Sequence, residues 1–136
     1  MAALQLAGLR GVDVRILIPD RPDHLLVYLA AFSYFEDAEM TGVEFYRYTE
    51  GFLHQKVVLV DDQVAVIGTA NFDNRSFRLN FEISAIFPDS AMTSAVEAML
   101  LEDFASSRLM QGGDYENRSF WFKLAVRLAR LTAPVL

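Results

Sequence analysis

The spacing of hydrophobic residues predicts a chain in which short strands alternate with helices. Between residues 12 and 18 every second residue is apolar, which is the spacing of a half-buried strand. Two short apolar runs flank Asp61-Asp62-Gln63 and indicate a tight hairpin. The expected strands cover residues 12–18, 43–48, 57–60, 64–67 and 82–87.

Apolar residues three and four positions apart predict two helices, over residues 24–40 and 91–109. Asp89 or Ser90 can cap the second helix. Its core-facing residues are expected to be Met92, Val96, Met99, Leu100 and Phe104. The first ten residues indicate the end of a further helix that Gly11 stops. Strands and helices mixed in this order are typical of an α/β sandwich.

A chain of 136 residues suits one domain. Residues 1–110 are interpreted as that domain, residues 111–118 as a polar linker, and residues 119–136 as an amphipathic basic helix. Because a helix fragment precedes the first predicted strand, the domain is expected to be truncated and to have lost an edge element of its sheet.

The predicted terminal helix carries two stripes. The apolar stripe consists of Phe120, Leu124, Leu128 and Leu131, and the basic stripe consists of Lys123, Arg127 and Arg130. Packing on the domain and contact with a membrane are both compatible with this pattern. Both can hold at once, because a basic face beside Trp121 suits a lipid headgroup region.

The net charge of −6 is unevenly distributed. Residues 119–136 hold three basic and no acidic side chains, so residues 1–118 carry nine basic and 18 acidic ones. A nucleic-acid-binding protein usually shows a basic face, because neutralising phosphates supplies most of its affinity. An acidic body with a short basic end argues against nucleic acid and favours contact of one segment with an anionic membrane.

Several other classes are disfavoured by composition. The chain has no cysteine, so disulfides and thiolate metal sites are excluded. No stretch of about 18 uncharged apolar residues predicts a transmembrane helix, and the first 15 residues do not have the pattern of a signal peptide. We therefore expect a soluble or peripheral chain.

The residues that carry chemistry are concentrated in the predicted hairpin. His54 and Lys56 are two apart just before the predicted strand 57–60, and on a strand side chains two apart point the same way. Asn71 follows in the loop after the hairpin and adds an amide donor. An imidazole, an ammonium and an amide together can hold the oxygens of a phosphate diester and move a proton or attack phosphorus.

The pattern His54-x-Lys56-x4-Asp61-x6-Gly68-Thr69-x-Asn71 resembles the phospholipase D superfamily signature at every fixed position, with threonine in place of serine. The flanking residues narrow the resemblance to bacterial cardiolipin synthases. These flanks are Gly51-Phe52-Leu53, Phe72-Asp73-Asn74-Arg75-Ser76-Phe77, Asn80-Phe81-Glu82, Arg10 to Arg15 and the ending from Phe120. The resemblance implies a phospholipase D-like α/β/α sandwich with a mixed sheet, here a truncated second catalytic domain.

The resemblance also implies a role for each matched residue. His54 would be the acid/base histidine, with Lys56 and Asn71 on the non-bridging phosphate oxygens. Glu82 would accept a hydrogen bond from the other ring nitrogen of His54. Asp61 would be structural or orienting, although a carboxylate in a hairpin turn needs no other explanation. Thr69, Arg75 and Ser76 would lie near the substrate, and the last two could equally brace the loop.

The family joins two phosphatidylglycerol molecules into cardiolipin and glycerol, through a phosphohistidine and without metal or nucleotide. A peripheral position on the bacterial cytoplasmic membrane is implied. Two motifs build each site, but this chain carries one, because the other histidine, His24, has no lysine two residues later. His24 is expected to help start a helix. The second motif must then come from a homodimer mate or from an N-terminal half.

Two rival interpretations remain open. One is a dimeric nuclease or phosphodiesterase of the same superfamily, in which one motif per chain builds a site across a twofold axis. The other is an inactive gene remnant that folds poorly because its sheet is incomplete.

Overall fold

The computed structural model describes residues 1–21, 28–29, 32–35, 40–111 and 113–132. Its helices are α1 (Ala2–Leu9), α2 (Asn74–Arg78), α3 (Ser90–Ala105), α4 (Gly113–Glu116) and α5 (Phe120–Thr132). Its strands are β1 (Val14–Pro19), β2 (Val43–Tyr48), β3 (Val57–Val60), β4 (Val64–Gly68), β5 (Ser84–Phe87) and β6 (Ser107–Leu109). Residues 28–29 and 32–35 are also helical, as predicted; His24 lies outside the described residues. None of the described helices combines the length and hydrophobicity needed to span a bilayer.

The first sheet is mixed and has the strand order β1-β2-β6. β1 runs parallel to β2, with Val14 opposite Val43. β6 runs antiparallel to β2, with Tyr46 opposite Leu109. Residues 107–109 were predicted to be helical, and this was wrong: α3 ends at Ala105, and the next residues pair with the edge of β2.

The second sheet is antiparallel and has the order β3-β4-β5. The predicted hairpin joins β3 to β4, and Asp61 and Asp62 both have positive φ angles, 50° and 55°. Two successive residues with positive φ are typical of a type I′ turn, which here lies within the three-residue connection 61–63. The amide of Gln63 donates to the carbonyl of Val60 at 3.0 Å and closes the turn. The strands thus lie in two sheets, of which the first is the expected mixed one.

The hydrophobic core lies on one face of the first sheet. Alternate residues of β2 point into it, and the helical residues 32–35 and α5 cover it. The buried members are Leu29, Phe32, Phe35, Val43, Phe45, Met110, Val126 and Ala129. On the opposite face Tyr46 packs edge-on against Phe104 of α3, with ring centroids 4.9 Å apart. The first sheet is therefore enclosed by helices on both faces.

α3 contacts both sheets, touching β2 and β6 of the first and β3 and β4 of the second. Asp89 caps it, as predicted, by accepting from the amides of Ala91 and Met92. Its buried residues are Thr93 and Val96, whereas Met92 and Met99 are each 37% exposed. The predicted core face was wrong at the two methionines, because α3 has apolar or small residues on several sides and the pattern does not single out one face.

The predicted terminal helix is present as α5, but the side that it buries is not the predicted apolar stripe. Val126 and Ala129 are buried and belong to the core. The predicted apolar stripe of Phe120, Leu124, Leu128 and Leu131 is exposed instead. The predicted linker 111–118 contains the short helix α4. The division into domain, linker and terminal helix remains a prediction.

Arg47 of β2 supplies a testable contribution to stability. Its side chain is 9% exposed, and its guanidinium forms an ion pair with Asp20 and donates to the hydroxyl of Tyr28 at 3.2 Å. Replacing Asp20 with Ala leaves this buried cation without its counter-charge, which we expect to lower the free energy of unfolding by about 1–3 kcal/mol. Urea denaturation measures this loss.

The control is the exposed ion pair between Asp13 and Arg15, whose side chains are 64% and 44% exposed. Asp13→Ala should cost less than about 1 kcal/mol, because exposed ion pairs contribute little. Equal losses in the Asp20 and Asp13 variants would contradict the role given to the buried pair.

Candidate active site

His54 and Lys56 lie three residues and one residue before Val57, the first residue of β3, and are thus outside the strand itself. The carbonyl of Lys56 accepts the amide of Gly68 at 3.1 Å, so pairing with β4 extends to this residue. The ammonium of Lys56 is 2.8 Å from Nε2 of His54. The predicted common direction of the two side chains is therefore seen in the structure.

The imidazole of His54 is exposed, with one aromatic neighbour. The ring of Phe52 stacks on it, with centroids 5.7 Å apart and an interplanar angle of 16°. Phe52 is itself 63% exposed, so it restricts the ring of His54 without removing it from solvent. No role was predicted for Phe52. Its position two residues before His54 on an extended segment was the signal that the two rings would be neighbours.

Gly68 allows the close approach of β4 and β5 next to the site. A Cβ atom at Gly68 would lie 2.6 Å from the carbonyl oxygen of Ile83 and 2.9 Å from Cα of Ser84. Real Cβ atoms do not come this close to backbone, so the position accepts no side chain without a shift. The close packing of β4 against β5 thus explains why the motif has a glycine at position 68.

Thr69 uses this close approach to hold Glu82. Its hydroxyl donates to Oε2 of Glu82 at 2.5 Å and accepts the amide of Ile83 at 3.0 Å. Asn80 donates from Nδ2 to Oε1 of Glu82 at 3.1 Å, and Arg75 donates to the amide oxygen of Asn80 at 3.3 Å. Thr69 and Arg75, both predicted as substrate-binding, therefore belong to one network that ends on Glu82.

Glu82 does not make the contact with His54 that was predicted for it. Its carboxylate accepts from Thr69 and Asn80, and no hydrogen bond between it and His54 is present among the described residues. These two hydrogen bonds hold the pKa of Glu82 below its ordinary value, and the Ser76 hydroxyl and the positive charge of Lys56 lower it further.

Asn71 occupies a braced loop. The backbone N–H of Asn71 donates to the hydroxyl of Ser76 at 3.1 Å, and the backbone N–H of Ser76 donates to the carboxylate of Asp73 at 2.7 Å. Ser76 is 6% exposed, so it supports the loop from inside. Of the two roles predicted for Ser76, this burial favours bracing the loop over contact with substrate. Asp73 caps α2. The aspartate three residues before Ser76 is a capping signal that sequence reasoning left unused.

Asp61 is not brought to the site. It follows β3, while His54 and Lys56 precede it, so roughly 16 Å of extended chain separates Lys56 from Asp61 at about 3.3 Å per residue. Its positive φ places it in the hairpin turn. The structure therefore favours the turn-forming role over direct contact with a reacting phosphate.

The assembled features are a histidine, a lysine, a braced loop with Asn71 and an ionised glutamate on one exposed edge. Such a group can bind the negative oxygens of a phosphate diester and exchange a proton with it. Within the described ranges no group of three or more histidine, cysteine, aspartate or glutamate side chains could hold a metal ion. The chemical roles of these residues remain predictions.

The fold is shared with a solved phospholipase D family member, Nuc from Salmonella typhimurium. The likeness has a TM-score of 0.69 and 24% sequence identity, and covers 82% of this chain and 72% of that chain. This confirms the predicted phospholipase D-like fold.

A family model described as the PLD-like domain of cardiolipin synthase matches residues 1–104. Proteins named cardiolipin synthase A from Pseudomonas putida and Pseudomonas fluorescens are 53% and 52% identical over 135 residues. This chain belongs to the PLD-like cardiolipin synthase family, as the motif predicted. The matches cover 99% of this chain, which spans 28% of the length of these relatives.

The hydroxyl of Thr69 should control the pKa of Glu82. In Thr69→Val the strongest hydrogen bond to the carboxylate is lost, so its pKa should rise toward the ordinary value of 4.5. A carboxylate with a lowered pKa stabilises the fold at pH values above 4.5 and loses that contribution as the pH falls through the folded-state pKa. The measurement is an NMR titration of the Glu82 side-chain carboxyl carbon.

The matched control is Thr49→Val, since Thr49 donates to the carbonyl of Ser106 and not to a carboxylate. The pKa of Glu82 should be unchanged in this variant. An unchanged pKa of Glu82 in the Thr69 variant would show that the hydrogen bond does not act as described.

Gly68→Ala should destabilise the second sheet. The added methyl group meets the backbone of Ile83 and Ser84, so we expect a loss of about 1–3 kcal/mol in the free energy of unfolding, measured by urea denaturation. Ser84→Ala, as the control, should change it by less than about 0.5 kcal/mol. A Gly68→Ala variant as stable as the parent would mean that the strands can separate at no cost.

Proposed function

We propose that this chain supplies one half of the active site of a phosphatidyltransferase that converts two phosphatidylglycerol molecules into cardiolipin and glycerol. The observation that carries the proposal is the contact of 2.8 Å between Lys56 and His54, beside the loop that holds Asn71, in a chain of the cardiolipin synthase family. Because the chain spans 28% of its relatives' length, the activity of the whole protein is part of the proposal.

The proposed reaction has two displacements at phosphorus. A histidine of the second half attacks the phosphate of the first phosphatidylglycerol, a P–N bond forms, and the P–O bond to glycerol breaks while His54 gives the departing oxygen a proton. A hydroxyl of the second phosphatidylglycerol then loses its proton to His54 and attacks phosphorus, which breaks the P–N bond and forms cardiolipin.

Lys56 and Asn71 would stabilise the charge that grows on the non-bridging oxygens. Without substrate the ammonium of Lys56 is within hydrogen-bond distance of the imidazole. An entering phosphate would draw the ammonium to its own oxygens and release Nε2 of His54 for proton transfer. Glu82 would hold the threonine loop in place through Thr69.

The second half is expected because the face around the catalytic pair is uncovered. Strand alternation puts His54, Lys56, Val58 and Val60 on one side of the second sheet. In the next row Val58 lies opposite Val66, which lies opposite Ile86. Val58, Val60 and Ile86 are 49%, 48% and 68% exposed. A second motif-bearing unit, from a homodimer mate or an N-terminal half, would cover this apolar face and add its histidine.

The proposed substrate class is an anionic phospholipid, with the protein peripheral to the bacterial cytoplasmic membrane. Metal, nucleotide and nucleic acid have no part in the proposed reaction. The acidic balance of residues 1–118, with nine basic and 18 acidic side chains, supports a partner other than nucleic acid.

Transfer from labelled phosphatidylglycerol in mixed micelles tests the proposal. The parent chain, alone or with the N-terminal half of a relative, should form labelled cardiolipin, and His54→Ala should lower the rate at least ~100-fold because proton transfer is lost. His24→Ala is the control, because it removes the other histidine of the chain and should keep the activity. Full activity of His54→Ala, or cleavage of duplex DNA in place of lipid transfer, would overturn the proposal.

A further inference from the structure

α5 is apolar on two separate sides. One side belongs to the core, where Val126 and Ala129 are 1% and 2% exposed and Phe122 is partly buried. The other side is turned away from the described part of the protein. It consists of Phe120, Trp121, Leu124, Leu128 and Leu131, which are 72%, 75%, 36%, 57% and 76% exposed.

This outer face is a continuous stripe. At 3.6 residues per turn its five side chains fall within about 100° of the helix circumference, the width of a packing face. Isolated apolar residues on a surface need no explanation, but five large ones in a stripe, including two aromatic residues, mark a surface that contacts something apolar.

The basic residues of α5 lie between its two apolar sides. Lys123, Arg127 and Arg130 line one open cavity of about 410 Å³ beside the helix. Lys123 is held by the carbonyl of Glu116 at 2.7 Å and by the ring of Tyr115 at 5.9 Å. The guanidinium of Arg130 lies 5.7 Å from the ring of Tyr34. Lys123 and Arg130 therefore have defined positions along one edge of the outer stripe.

We propose that α5 is the membrane-docking element of this protein. It would lie parallel to an anionic phospholipid bilayer, with the outer stripe between the headgroups and Lys123 and Arg127 at the phosphates. The inference goes beyond the proposed catalytic function, because it assigns a surface that contains no residue of the catalytic site and binds lipid whether or not His54 reacts.

Charge decides for an anionic bilayer over other occupants. Residues 119–136 have three basic and no acidic side chains, while the rest of the chain is strongly acidic and would be repelled by anionic lipid. A second copy docked antiparallel by the same face would place the two sets of cations on the same edge of the interface, where they repel. At the surface of an anionic bilayer, apolar acyl chains lie beneath a layer of negative headgroups. An apolar stripe bordered by cations matches this arrangement, and an exposed tryptophan suits the boundary between the two layers.

Trp121 is the single tryptophan of the chain and reports directly on docking. Its emission should shift to shorter wavelength when the purified chain is mixed with phosphatidylcholine vesicles containing phosphatidylglycerol. The shift should be much weaker with phosphatidylcholine alone or in high salt. His54→Ala should bind these vesicles as the parent does, so failure of the catalytic proposal leaves this result unchanged.

Two variants and their matched controls test the contacts by vesicle sedimentation. Leu128→Asp should weaken binding at least ~10-fold, and Arg127→Ala about 5-fold. Leu101→Asp changes a leucine of α3 that is 53% exposed, and Arg10→Ala removes an exposed cation elsewhere; both should bind like the parent. All four positions are exposed, and circular dichroism verifies that the variants fold.

An unchanged Trp121 emission with the anionic vesicles overturns the inference. So does equal binding by the parent and Leu128→Asp, or equal weakening by Leu128→Asp and Leu101→Asp. A blue shift that appears with rising protein concentration in the absence of lipid would assign the stripe to a second copy of the chain and also overturn it.

Discussion

The pairing of the segment 54–60 with β4 is the constraint on which the site depends. A one-residue slip would turn His54 and Lys56 to the opposite face of the sheet, because side chains alternate along an extended chain. The hydrogen bond of 3.1 Å from Gly68 to Lys56 closes this pairing at one end, and the turn at Asp61-Asp62 closes it at the other. Asp61 therefore contributes to the site through register rather than through contact.

The loops beside the strands are held by a polar network rather than by burial. Thr69, Asn80 and Arg75 lead to the carboxylate of Glu82, and Ser76 joins Asn71 to Asp73. Groups fixed in this way need little rearrangement when charge develops on a bound phosphate. The site can thus remain open to solvent on one side and still present its side chains in a defined arrangement.

The sequence allowed prediction of those parts of the site that depend on local geometry. Alternation along an extended segment places His54 beside Lys56, and a short polar turn between two apolar runs defines the hairpin. The contact of Glu82 with Thr69 depends on the pairing of β4 with β5, which joins residues 13 apart and has no local signal. The cardiolipin synthase family was recognised because its motif combines these local features at fixed spacing.

Tertiary packing explains what was missed. β6 has three residues and gains strand structure only from its pairing with β2. In α5 the strongest apolar stripe points outward, because the narrower Val126–Ala129 side fits closely against the helical residues 32–35 and β2. Hydrophobic periodicity measures the apolar face of a helix but does not say whether protein or another medium covers it.

Two exposed surfaces follow from this arrangement, and each implies an absent component. The apolar face beside His54 is suited to a second motif-bearing half, and the outer stripe of α5 is suited to an anionic bilayer. Under the two proposals, one surface would receive the second histidine and the other would bring the chain to its lipid substrates.

The most direct test of the half-site replaces the parent chain stepwise by His54→Ala at constant total concentration, with a supplied N-terminal half, while the rate of cardiolipin formation is measured. If each site takes one His54 and one histidine of the supplied half, the rate falls in proportion to the parent fraction. If each site takes two copies of this chain, it falls with the square of that fraction. A rate that does not depend on the fraction would contradict a catalytic role for His54.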